Sequence, residues 1–129
     1  MAADSGVAEP LGLLLISGGH ERAHYAFVLA AGAAALGRPV TLFATNQGCH
    51  ALGSDLAAFA AEDEAVRVVG VAGLAELRAA AAELGARLIA CEAGLRVARL
   101  DAERLLPGVE VAGVATFLAA VSGGQIVSL

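Results

Sequence analysis

Three short apolar runs, each stopped by glycine, proline or a change to small and polar residues, constrain this chain most. They are residues 12–17 (Gly-Leu-Leu-Leu-Ile-Ser), 39–44 (Pro-Val-Thr-Leu-Phe-Ala) and 87–91 (Arg-Leu-Ile-Ala-Cys). Each is too short for a helix buried on all sides and lacks the alternation of a half-wet strand. The remaining reading is a strand covered on both faces, as parallel sheets require. Between them lie segments of helical length. Residues 21–36 begin with an acid and end before Gly37, and residues 74–84 place Glu76, Arg78 and Glu83 on a wet side and close at Gly85. Residues 113–121 read as a short helix and 125–129 as a last strand. Strand and helix alternate, which predicts a three-layer α/β/α fold. Its mostly parallel, flavodoxin- or Rossmann-like sheet has about five strands.

Other stretches are less distinct. Residues 45–53 read as a polar loop, and Ser54 or Asp55 as the cap of a helix reaching about residue 61. Glu62-Asp63-Glu64 reads as a solvated turn. Residues 66–71 fit a short strand or an extended connector, and residues 101–106 a helical turn ended by Pro107-Gly108. The helix over 21–36 is apolar nearly all round from Ala26. Such a helix needs cover on two sides, which the sequence reading assigns to the sheet and to a neighbouring subunit.

The chain has 129 residues, enough for one domain, with residues 1–10 as a flexible N-terminal extension. It is 58% hydrophobic with no Trp, so the core is aliphatic, and the surplus of apolar residues suits a subunit interface as well. All eight basic residues are Arg, which removes lysine chemistry. A net charge of −5 without a basic run argues against nucleic acid as a partner. The N-terminus lacks the positive start of a signal peptide. The uncharged stretch 111–129 is broken by Gly123-Gly124, so no membrane span is expected. Two cysteines in an α/β domain of this size read as reduced thiols in the cytoplasm.

In such a sheet the loops leaving the carboxyl ends of the strands form the ligand-binding edge. Here they carry Ser17, Gly18, Gly19 and His20; then Asn46, Cys49 and His50; then Cys91 with Glu92 and Gly94. Cys91 is either a strand-end nucleophile or a small buried hydrophobe. Cys49, in a polar loop, is expected to be exposed, as a resolving thiol or a tolerated surface cysteine. His20 opens a helix and can bind an anion or tune a thiol; His24 reads as structural; His50 is a base or solvated. The spacings lack a zinc signature, so no metal is expected. The phosphate-loop lysine is missing, and only two of the three fingerprint glycines are present, so no nucleotide cofactor is expected.

Four stretches carry a family likeness: 15–19 (Leu-Ile-Ser-Gly-Gly), 37–43 (Gly-Arg-Pro-Val-Thr-Leu-Phe), 84–91 ending in Ala90-Cys91, and 109–118 with Gly-Val-Ala-Thr-Phe-Leu at its end. In these the chain resembles the DsrE/DsrF-like family of small sulfur-relay proteins. The resemblance implies a cytoplasmic α/β domain that forms a homo-oligomer, a trimer or hexamer. It also implies that Cys91 accepts sulfane sulfur as a persulfide from a donor protein and passes it to an acceptor. His20, Cys49 and His50 would assist, and Ser17, Gly18, Gly19, Asn46 and Gly94 would line the pocket. The alternatives are a non-enzymatic oligomeric module that binds a small ligand, and a redox protein that cycles Cys49 and Cys91.

Overall fold

The computed structural model describes residues 8–129; residues 1–7 of the expected N-terminal extension lie outside the described residues. Five strands form one sheet: β1 (Leu11–Leu15), β2 (Val40–Ala44), β3 (Arg87–Cys91), β4 (Glu110–Ala112) and β5 (Gln125–Ser128). The order is β4-β3-β2-β1-β5, and every neighbouring pair is parallel. Five α-helices connect them: α1 (His20–Ala35), α2 (Ala60–Arg67), α3 (Leu74–Glu83), α4 (Glu92–Ala98) and α5 (Val114–Ala120). The fold is the α/β arrangement that the alternating pattern predicts.

The period of two along each strand divides the core between the two faces. Leu13, Leu42, Ala44, Leu88 and Ala90 meet Ala23, Phe27 and Ala30 of α1 on one face. Phe43, Ile89 and Cys91 point to the other, where Phe117 of α5 and Val121 just after that helix cover them. Phe43 and Phe117 stack with ring centroids 5.0 Å apart. Helix α1 packs against the sheet and along α3. The second cover for its apolar circumference is therefore α3 of the same chain, where the sequence reading put a neighbouring subunit. No helix among the described residues is long and apolar enough to cross a membrane.

Further readings are corrected by the structure. The segment after Cys91 is helix α4, and residues 110–112 add the short edge strand β4. Residues 45–53 hold a 3-10 helix, Asn46–Leu52, in place of an open loop. Glu62-Asp63-Glu64 lies inside α2, and Asp63 is buried. Residues 66–71 form the end of α2 and a turn, with Val68 and Val69 exposed, and pair with no strand. Arg78 leaves the wet side of its helix: only 6% exposed, its Nη1 donates to the carbonyls of Ala51 at 2.9 Å and Gly53 at 2.7 Å. This guanidinium anchors the end of the 3-10 segment to α3.

Candidate functional site

Cys91 ends β3, next to the central strand β2, and its side chain caps the next helix. Its backbone is extended (φ −68°, ψ 124°), and its Sγ accepts the amide N–H of Gly94 at 3.3 Å. Orphan amides at a helix start seek an acceptor, and here a sulfur takes the place of the usual cap oxygen. The same turn explains Gly94. A Cβ there would stand 2.5 Å from both the Asn46 nitrogen and the Thr45 Oγ1. Only a residue without a side chain lets α4 press onto the loop that leaves β2. That loop begins with Asn46 in a left-handed conformation (φ 52°), one that asparagine tolerates better than most residues. Cys91 keeps 9% of its surface exposed, between Phe43, Ile89, Phe117 and Val121.

Cys49 is not the exposed loop thiol that its polar surroundings predict. It is 0% exposed, on the buried side of the 3-10 helix, and its Sγ donates to the Ala44 carbonyl at 3.5 Å. The tight fit here begins at Gly48, where a Cβ would collide with the carbonyl of Leu15. Burial, and then the nearby Cys91 thiol, push the Cys49 thiol up to about 11, so it stays protonated at neutral pH. Both cysteines are free.

His20 and Asp63 form a pair that the sequence reading missed. The His20 Nε2 lies 2.5 Å from Asp63 Oδ1, and both side chains are buried. The same oxygen accepts the Leu74 amide at 3.0 Å, and Arg67 Nη2 lies 3.5 Å from Oδ2. One carboxylate thus ties together the starts of α1 and α3 from its place on α2. Desolvation alone would raise its pKa. The Leu74 amide, His20 and Arg67 outweigh it and hold Asp63 below its ordinary value. A signal did exist, because Phe59 and Asp63 are four residues apart, on one helical face. Arg78 likewise falls on the stripe of Leu74 and Ala81.

His24 stacks on His20 with centroids 5.3 Å apart, and its Nε2 donates to the Ala72 carbonyl at 2.8 Å. A cleft of about 300 Å³ is lined by Gly18, Gly19, His20, Gln47, His50 and Phe59, with Glu62 also in its wall. Ser17 Oγ accepts the Gly19 amide at 3.2 Å, shaping the turn above it. A second cleft of about 460 Å³ joins His50 to Arg99, Arg104, Asp55 and Asp101. The structure therefore gathers Gly18, Gly19, His20 and His50 around one opening. Asn46 and Gly94 meet beside Cys91, which is in the wall of neither cleft. Among the described residues, no three of His, Cys, Asp and Glu converge as a metal ion would need.

No curated protein matches the chain. Solved structures share its fold at low identity, among them one from E. coli and one from Methanobacterium thermoautotrophicum. The ychN protein from E. coli is 10% identical with a TM-score of 0.71, over 94% of this chain and 99% of that one. Protein MTH1491 of unknown function from Methanobacterium thermoautotrophicum is 17% identical with a TM-score of 0.65, over the same shares. The family model for DsrE/DsrF/DrsH-like proteins matches residues 57–127, more than half of the chain and including Cys91 and Gly94. The chain belongs to the DsrE/DsrF/DrsH-like family.

Proposed function

We propose that this protein is a cytoplasmic sulfur carrier that holds sulfane sulfur as a persulfide on Cys91. The observation that carries the reading is the cap at the end of β3: a thiol, buried but for 9% of its residue's surface, whose sulfur already accepts a helix-start amide. Family membership supports it, through the resemblance to small sulfur-relay proteins. In loading, the Cys91 thiolate attacks the outer sulfur of a donor persulfide, R–S–SH. The donor S–S bond breaks, R–S⁻ departs and takes up a proton, and Cys91–S–SH remains. Delivery is the same exchange with an acceptor thiol as nucleophile. One sulfane sulfur passes between thiols, and no external oxidant or reductant is consumed.

Cys49 is a poor candidate for a partner in redox cycling, since a thiol held protonated by burial is a weak nucleophile at neutral pH. Its role in this reading is to fill the core behind Cys91. We further propose that the chain works as a homo-oligomer, a trimer or hexamer, joined through the face that α5 covers alone. Ile126, Val114 and Leu118 remain 44%, 55% and 51% exposed there.

Cold cyanolysis tests the carrier reading. Protein incubated with inorganic polysulfide and desalted should release thiocyanate in a stoichiometry near one per chain. Cys91→Ser should release none, and Cys49→Ser should release as much as the native chain. Equal release from Cys91→Ser would overturn it.

A further inference from the structure

The opening of about 460 Å³ that His50 shares with Arg99 and Arg104 does not include Cys91, and its wall carries charges of both signs. The guanidiniums of Arg99 and Arg104 stand there with the carboxylates of Asp55 and Asp101. All four residues are exposed, and among the described residues none of them forms an ion pair. The backbone brings two of them close. The Ser54 amide and hydroxyl both donate to the Arg104 carbonyl, at 2.8 and 3.0 Å, and Gly53 bridges to Leu105. Asp55 and Arg104 therefore sit on laced segments, yet their charges do not meet. The Asp55 carboxylate is already oriented, because its Oδ1 accepts the Ala57 amide at 2.9 Å, which leaves the other oxygen free for a ligand. Behind the wall, Arg78 pins the Gly53 carbonyl. Arg99 adds an independent observation. It ends α4 in the left-handed region (φ 56°, ψ 42°), where glycine is the usual residue and a side chain adds strain. The fold requires no side chain at that position, and the one present places an unpaired charge in the wall. Backbone strain of this kind clusters at ligand sites.

We propose that this cleft binds a free α-amino acid in its zwitterionic form. Cations and anions balance in the wall, so a simple anion or a simple cation meets as much repulsion as attraction there. A molecule that carries both a carboxylate and an ammonium satisfies both sets. Arg99 and Arg104 take the carboxylate, since the forked donors of a guanidinium match its two oxygens. The free Asp55 oxygen and Asp101 take the ammonium. Leu100 supplies the apolar side chain of the wall, so recognition rests on the charged head of the ligand more than on its side chain. The inference holds whether or not Cys91 carries sulfur.

Amide ¹H–¹⁵N spectra of the full-length ¹⁵N-labelled chain, at neutral pH and constant ionic strength, test it with three probes. L-Alanine should move the Gly53 and Leu100 amides saturably. Propionate lacks the ammonium and ethylamine lacks the carboxylate, and each should bind about fivefold or more weakly. Arg104→Gln should lose the preference for alanine over ethylamine. Asp55→Asn, which keeps an acceptor for the Ala57 amide, should reduce the preference for alanine over propionate. Arg99→Gly, which relieves the backbone, should nevertheless weaken alanine binding. Cys91→Ser should bind alanine as the native chain does. The proposal is overturned by the absence of a saturable shift with alanine, or by propionate or ethylamine binding as tightly as alanine. Alanine affinity unchanged in both Arg104→Gln and Arg99→Gly would overturn it too. If a variant does not fold, the three probes on the native chain still decide.

Discussion

The two cysteines of this chain are both buried, in different surroundings. Cys91 sits at a strand end with a helix amide on its sulfur and 9% of its surface exposed, while Cys49 is 0% exposed in the core. Alkylation with iodoacetamide at neutral pH, read by peptide mapping, should therefore label Cys91 first. Cys49 should label only as the fold opens, because burial and its neighbour push its thiol up to about 11. Asp63 gives a second prediction at this scale. Its folded pKa lies below the unfolded value of about 3.9, so its contribution is present above that value and lost as pH falls through the folded pKa. Asp63→Asn should cost about 1–3 kcal/mol at neutral pH, with the Leu74 amide and His20 left poorly paired. In urea melts at stepped pH the gap between variant and native chain should narrow in acid. A gap that widened in acid would contradict the assignment.

At the scale of elements, the central strands and long helices were legible because their signals are local. A continuous apolar run means a strand buried on both sides, and β1, β2 and β3 lie within a residue or two of the predicted segments. The misses have a common cause, which is tertiary contact. Helix α4 looks like a small-residue loop because Gly94 is required by the close approach of Thr45 and Asn46, which one sequence cannot reveal. Strand β4 is three residues long and mostly exposed, so its pairing shows chiefly in the bidentate Arg87–Glu110 contact at 2.6 and 2.8 Å. Asp63 and Arg78 look solvent-facing by charge, yet each is buried with its partners found elsewhere in the chain. Of the candidate site, Cys91 at its strand end was readable and Asp63 left only the i,i+4 spacing to Phe59, whereas the cap on α4 and the burial of Cys49 left no signal. Gly94→Ala is the element-scale test. The added methyl must push α4 off the β2 loop, at a cost of about 1–3 kcal/mol. It should also change the alkylation rate of Cys91 by moving the amide that caps it. Unchanged stability and reactivity would mean that the approach of α4 to the loop is not tight.

For the whole molecule, the uneven cover of the sheet is the informative feature. Three helices and the 3-10 segment lie over or beside one face, and among the described residues α5 alone covers the other, leaving Ile126, Val114 and Leu118 at least two-fifths exposed. If that face is the subunit interface, Val114→Glu with Leu118→Glu should convert the assembly to folded monomer in sedimentation velocity, with circular dichroism unchanged. An unaltered assembly would move the interface elsewhere. The proposed function of the whole chain rests on the sulfur of Cys91. Site-resolved mass spectrometry of the unreduced native chain after polysulfide loading should find one added sulfur atom, on the peptide that contains Cys91. Sulfur found on Cys49, or on neither cysteine, would contradict it.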